Sequence, residues 1–211
     1  MSATGLLPGQ PLPLFPLRSV LYPQGRLGLQ VFEARYLDLI SHCMREQCAF
    51  GVVCLRQGGE VRADSGDAEP VQFESLGTLA HLVSVDADQP GLLQVLCDGG
   101  ARFRYAKARA QADGLWLAED VHLLPDDVPT APGPALSPAT EALQRALALL
   151  DLQAPGHAPQ LRHLDDAGWV AHRWAELLPA PLAQRQQWLA QDDPLARLAE
   201  VQAFLQAHDL I

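Results

Sequence analysis

Five prolines within fourteen residues, Pro125, Pro129, Pro132, Pro134 and Pro138, interrupt this chain of 211 residues and separate two segments with different apolar periods. Before them apolar positions recur every second residue; after them they recur every third or fourth. Proline fixes φ and removes a backbone donor, so neither a helix nor a central strand runs through such a stretch. A change of period across it marks a boundary between a sheet-based and a helix-based unit. The expected organisation is α+β: a β-rich subdomain over residues 1–125, a linker over 126–136 and a helical subdomain over 137–211. The helical part, at about 75 residues, would hold a thin core. It is expected to contain no strand and to lean on the β-rich part through Trp or Leu side chains.

Within the first segment, residues 12–17 and 27–31 read as short strands joined by a turn around Pro23, Gln24 and Gly25. The period then lengthens, and Tyr36, Leu37, Ile40, Cys43 and Met44 fall on one face of a helix that packs on the sheet. Residues 49–55 are nearly all apolar and fit a buried strand. Residues 56–75 are polar and glycine-rich and read as a loop. Strands follow over 76–85 and 92–98, separated by a turn over 86–91. A further turn is expected at Asp98, Gly99 and Gly100. Next comes an alternating piece with Phe103 and Tyr105 inward, Arg102 and Arg104 outward. Asp113-Gly114 signals a hairpin, and residues 115–124 form the last strand. Closely spaced strands of this kind predict an antiparallel barrel or closed sandwich.

After the prolines, Ser137-Pro138 reads as a cap and first helical position, followed by an apolar stripe of Leu143, Leu147 and Leu150. A second helix starts near Asp165 or Asp166 and carries Val170, Trp174, Leu177 and Leu178. A short third one follows Pro181, with Trp188 and Leu189 near its end. Asp193-Pro194 opens the fourth, with Leu195, Leu198 and Leu205 at helical spacing. Four helices with short connections predict a small bundle.

A series of short motifs runs in order through both segments: P-L-F-P-L at 13–17, V-L-Y-P-x-G at 20–25, F-E-x-R-Y at 32–36, F-G-V-V at 50–53, L-G-T-L-A at 76–80, G-x-x-R-F-R at 99–104, E-L-L-P-x-P at 176–181 and D-D-P-L-A-R-L at 192–198. In spacing and order they resemble the N-terminal, substrate-recognition domain of Lon, the ATP-dependent protease, here as a stand-alone bacterial Lon-domain protein. The resemblance implies a PUA-like antiparallel β-barrel with one packed helix, followed by a helical bundle, in a module that holds polypeptide rather than cutting it. The motif positions it singles out, mainly as structural residues, are Pro13, Phe15, Pro16, Leu17, Pro23, Gly25, Phe32, Glu33, Arg35, Tyr36, Phe50, Gly51, Gly77, Arg102 and Phe103. Which surface binds polypeptide is left open, with the groove between barrel and helices and the 56–75 loop as the expected contact region.

Lon-type proteases hydrolyse ATP through a P-loop and cut peptides with a Ser-Lys dyad. This sequence contains no G-x-x-x-x-G-K-[ST], so nothing cradles nucleotide phosphates. Its single lysine, Lys107, has no serine within ten residues. No catalytic residue, cofactor or metal ligand is therefore assigned. His157, His163 and His172 have spacings that fit no zinc pattern, and His172 is expected on the polar side of its helix. Of the acidic pairs Asp126-Asp127, Asp165-Asp166 and Asp192-Asp193, the last two precede helices, and capping is expected rather than acid-base work or magnesium binding. Glu33 and Arg35 read as helix-start residues, with Arg35 on a carboxylate or on loop carbonyls. Of Trp116, Trp169, Trp174 and Trp188, one at most is expected on a binding face.

The formal net charge is −10, with acidic excess in both segments. RNA binding, known for PUA-like barrels, draws on phosphate neutralisation and is not expected here, although Arg102, Arg104 and Arg109 could line one strand. An enzyme with a site not visible in sequence is the other alternative. No apolar run is long enough to cross a bilayer, and MSATGLLPGQ lacks the order of a signal peptide, so a cytoplasmic protein without membrane contact is expected. Cys43, Cys48, Cys54 and Cys97 form no C-x-x-C pair and are expected as buried free thiols. The partner is expected to be unfolded or tagged polypeptide or a partner protein, and the oligomeric state is left open.

Overall fold

The computed structural model describes residues 5–6, 9–59, 71–153 and 161–211. Much of the expected 56–75 loop, and His157, lie outside the described residues. In chain order the elements of the first unit, which ends at Asp126, are β1 (Leu12–Leu17), β2 (Arg26–Val31), α1 (Ala34–Glu46), β3 (Phe50–Gln57), β4 (Gln72–Gln89), β5 (Leu92–Arg104), β6 (Lys107–Ala110), β7 (Trp116–Glu119) and β8 (His122–Leu123). The second unit, from Asp127, holds α2 (Ser137–Gln153), α3 (Ala167–Leu177), α4 (Leu182–Ala190) and α5 (Pro194–Ala207). The fold class is α+β.

The strands form one mixed sheet in the order β2-β5-β4-β3-β1-β7-β6, with β8 added beside β5. This differs from a closed, purely antiparallel barrel in two ways. The hydrogen-bonded path is open at β2 and β6 among the described residues. And β1 runs parallel to β3, because β2 and α1 lie between them and carry the chain back to the same end of the sheet. β1 tolerates two prolines for a reason visible in its register: it pairs with β7 over residues 12–14 and with β3 over residues 14–17. Pro13 and Pro16 each have a strand neighbour on one side, so a missing N–H does not interrupt a two-sided ladder.

α1 buries Tyr36, Leu39, Ile40 and Cys43, while Met44, expected on the same face, is exposed. Leu39 takes its place because the buried stripe follows the i, i+3, i+4, i+7 rows from Tyr36. Two packed clusters fill the unit. One joins Phe15, Leu29, Val31, Tyr36, Ile40, Phe50, Val52 and Cys97, and the other joins Leu12, Leu14, Val53, Leu79 and Phe103.

Four local expectations are corrected. β4 continues through the supposed turn as far as Gln89. β5 is unbroken through Gly99-Gly100; these glycines answer to close packing rather than to a turn, since a Cβ on Gly99 would lie 2.1 Å from Tyr22 O and one on Gly100 2.4 Å from His81 Nε2. Residues 115–124 do not form one strand, because Asp120 takes a positive φ of 54° and redirects the chain into β8. Arg102 is not outward: it is 4% exposed, on the β5 stretch paired with Thr78, itself fully buried.

All four cysteines are buried free thiols. Burial, with Asp98 as the smaller cause, pushes the Cys97 thiol up to about 12 from an ordinary 9.0. Burial, then Cys48 and Cys97, pushes Cys43 up as well. Between those values the folded chain keeps protons that the unfolded chain releases, so this contribution to stability is complete below 9 and is lost as pH rises toward 12. Urea midpoints should therefore fall between pH 8.5 and 10.5, and Cys97→Ala should flatten the fall. An unchanged slope in that variant would contradict the assignment.

In the second unit the carboxylate caps set two helix starts. Asp166 accepts from Gly168 N at 3.0 Å, and Asp193 accepts from Leu195 N at 2.8 Å and Ala196 N at 3.3 Å. The proline-rich stretch is tied down by Ala167 N donating to Thr130 O at 2.8 Å, and a 3-10 turn (Pro134–Leu136) leads directly into α2, so Ser137 is already helical rather than an extended cap. α3 packs on α5, and Trp174 Nε1 donates to Ala139 O of α2 at 2.8 Å. His172, expected on a polar face, is 4% exposed, because every residue of α3 from Ala167 to Ala175 is buried.

Candidate functional site

The motif residues of the first unit fall into two groups. Phe15 of β1 stacks on Tyr36 of α1 with ring centroids 3.9 Å apart, and Phe50 tilts against Phe15 at 6.0 Å. Arg35 lies over the Tyr36 ring at 4.6 Å, pairs with Glu33 at 2.9 Å and donates to Gly114 O at 2.8 Å. The guanidinium thus ties the start of α1 to the β6–β7 hairpin, whose turn is closed by Gly114 N on Gln111 O. Pro23 and Gly25 belong to a tight turn in which Gln24 has φ 57° and Gly25 N donates to Tyr22 O. In the second group, Phe103 is fully buried and fills the space that side chains at Gly51 and Gly77 would need.

Against the first group lies a groove of about 320 Å³, lined by Phe15, Leu17, Phe32, Glu33 and Tyr36 together with all of β2 from Leu27 to Val31. Phe32 is 55% exposed beside it, a large apolar side chain between buried Val31 and the start of α1. On the other side of β2 a second, more polar groove of about 360 Å³ is bordered by Gly28, Gln30, Ser84, Asp86 and Gln94. Five motif positions, Phe15, Leu17, Phe32, Glu33 and Tyr36, meet at the apolar groove. Pro13, Pro16, Pro23, Gly25, Arg35, Phe50, Gly51, Gly77, Arg102 and Phe103 do not line it. β2 itself carried no motif signal beyond its R-L-G-L-Q-V alternation, in which Gly28 is the anomalous residue.

Elsewhere the charged clusters serve the fold. Arg102 is buried, and Arg109, on β6, pairs with Glu119 at 2.7 Å; the two do not form one arginine row with Arg104 for a nucleic acid backbone. Arg173 pairs with Glu176 at 3.1 Å, and Arg185 donates to Ala175 O and Glu176 O at the end of α3. Burial raises Glu176 to about 7 against the pull of both arginines. Among the described residues no three His, Cys, Asp or Glu side chains come together as a metal site, and no helix is long and apolar enough to cross a membrane. Trp169, Trp174 and Trp188 are buried, and half-buried Trp116 packs edge-on against Phe73 at 5.1 Å.

A family model for the substrate-binding domain of ATP-dependent protease La (Lon) matches residues 11–207. The chain is 29% identical over 205 residues to a Lon protease of Anaeromyxobacter dehalogenans and 28% identical over 208 residues to Lon protease 2 of Myxococcus xanthus. It is covered over 92% and 93% of its own length in these matches but spans 23% of each relative. Among solved structures it is similar to a Lon N-terminal domain protein from Xanthomonas campestris, with TM-score 0.70, 34% identity, and 91% and 96% of the two chains covered. It also shares its fold with the N-terminal domain of a Mycobacterium avium complex Lon protease, with TM-score 0.61, 16% identity, and 93% and 98% covered.

Proposed function

Because the chain belongs to the Lon substrate-binding domain family, which it matches over residues 11–207, we propose that it is a non-catalytic module that grips exposed apolar stretches of polypeptide, without ATPase or peptidase chemistry in this sequence, and that it works in the cytoplasm. The observation that carries the reading is the apolar groove beside β2, with Phe32 standing 55% exposed at its border. A large accessible aromatic beside an apolar cleft is what an interaction surface offers, because burying it on a partner removes apolar area from water. Neither a P-loop nor a Ser-Lys pair is present in the sequence to support catalysis. The acidic balance of −10 adds nothing that would attract a polyphosphate.

The test uses a reduced, carboxymethylated and fluorescently labelled unfolded protein, titrated with the full chain and followed by anisotropy. Saturable binding at micromolar concentration is expected, and Phe32→Ser should weaken it by about fivefold, the order expected for losing part of one buried aromatic. Casein incubated with the chain, with and without ATP, should stay intact. Absence of binding, or cleavage of casein, would remove the proposal.

A further inference from the structure

β2 is an end strand: among the described residues it pairs with β5 alone. Gly99 N donates to Gly25 O at 2.7 Å and Gly99 O accepts from Gln24 N at 2.8 Å, a bulge that leaves Gly25 O turned toward β5, and the one-to-one register continues from there through Arg26↔Asp98 to Val31↔Leu93. Hydrogen-bonded and non-bonded pairs alternate along an antiparallel ladder. The backbone groups of Leu27, Leu29 and Val31 therefore turn toward β5, and those of Arg26, Gly28 and Gln30 turn toward the open edge.

Gly28 sits in the middle of that edge. A Cβ there would meet nothing within 4 Å, and its backbone is not in the left-handed region. Neither packing nor turn geometry demands glycine, and glycine inside a strand costs stability through lost entropy and packing. What it does provide is an edge that a second backbone can approach without a side chain in the way. Gly28 also lines the apolar groove that runs along β2. Neither groove is lined by lysine or arginine, Glu33 of the apolar one is paired with Arg35, and the chain as a whole carries a net charge of −10.

Building on the polypeptide-binding reading, we propose that β2 takes up its ligand by strand addition: an extended apolar segment flanked by basic residues hydrogen-bonds to the edge groups of Arg26, Gly28 and Gln30. Its alternate side chains lodge in the groove of Phe15, Leu17, Phe32 and Tyr36, and its basic ends answer the net negative charge of the chain. Main-chain bonds supply affinity without reading sequence, the groove selects apolar side chains at every second position, and the acidic balance of the chain disfavours acidic flanks. A segment of about six residues matches the length of β2.

The probe is a labelled eight-residue peptide of alternating leucine and threonine with lysine at both ends, measured by anisotropy against the full chain. Two further peptides carry N-methyl groups on alternate residues, one on the odd and one on the even set, and a fourth has glutamate in place of lysine. Strand addition uses one edge of the peptide, so one N-methyl peptide should lose binding by about tenfold or more while the other keeps it. The glutamate-ended peptide should bind at least about fivefold more weakly, with the gap narrowing at high salt. Gly28→Pro removes an edge donor but no bond to β5 and should weaken the parent peptide about tenfold. Equal binding of the two N-methyl peptides overturns the proposal, as does a normally folded Gly28→Pro that binds like the parent chain. If Gly28→Pro does not fold, the N-methyl pair on the unaltered chain decides. A concentration-dependent dimer that Gly28→Pro dissolves would assign the edge to a second copy and overturn it too. Loss of all peptide and unfolded-protein binding by the unaltered chain is a different result: it removes the polypeptide-binding reading itself.

Discussion

Replacing Arg197 with methionine should destabilise the helical unit by about 3–5 kcal/mol, the cost of leaving a buried charge without its partner. Arg197 is 0% exposed. Its Nε donates to Trp188 O at 3.0 Å, Nη1 and Nη2 grip the Asp127 carboxylate, and Nη2 also reaches Gln191 O. One guanidinium thereby joins the start of the unit, the end of α4 and the first turns of α5. Methionine fills most of the volume but satisfies none of these acceptors, and it takes the guanidinium away from the Asp127 carboxylate, which is drawn in beside Gly168. Trp169, Trp174 and Trp188 all lie in this unit, so tryptophan fluorescence in urea reports mainly its unfolding. Asp127→Asn should cost less, because the neutral amide keeps an acceptor for the arginine. In the double variant the losses should fall well short of additive, since the two residues share one interaction. A loss below about 1 kcal/mol for Arg197→Met, the range of an exposed ion pair, would contradict a buried network.

Alanine at Gly77 and at Gly51 should both destabilise the β-rich unit, by about 3 kcal/mol and about 1–3 kcal/mol, and only the second should be repairable. A Cβ on Gly77 would stand 2.2 Å from Val52 O, a backbone atom of the neighbouring strand in the β3–β4 ladder. Relief there requires the strands to separate. A Cβ on Gly51 meets side-chain ends instead, Phe103 Cζ at 2.6 Å and Leu14 Cδ2 at 2.9 Å. Phe103→Leu shortens the first of these and should recover much of the stability of Gly51→Ala, while doing nothing for Gly77→Ala. Thermal melts of the three single and two double variants, followed by far-ultraviolet circular dichroism, make the comparison. Equal rescue at both glycines would mean that the Gly77 contact is soft and the close strand approach unimportant.

The two glycines also show where sequence reading reaches its limit. F-G-V-V and L-G-T-L-A mark both positions, yet a motif cannot say that one aromatic, Phe103 from a strand about fifty residues from one and twenty-six from the other, occupies the room both leave free. Arg102 and His172 depart from their expected faces for a related reason. Alternation and helical period assign faces as though each element had one partner, whereas Thr78 beside Arg102 is fully buried and α3 is buried along nearly its whole length. Gly99-Gly100 looks like a turn because glycine pairs often are turns; here the glycines admit Tyr22 O and the His81 ring while β5 runs on.

What the sequence determined by itself is local: the proline-containing β1, the start of α1 after Phe32, the hairpin at Asp113-Gly114, and the carboxylate caps Asp166 and Asp193 that open α3 and α5. Each of these depends on dihedral preferences and hydrogen bonds within a few residues, which a short stretch carries with it. Only the tertiary structure decided that β1 pairs parallel with β3, that Arg197 reaches back seventy residues to Asp127, and that β2 is left with an open edge beside an apolar groove. Those outcomes depend on which distant strands and helices come to lie side by side, and no residue announces a partner whose contact exists only after the chain has folded.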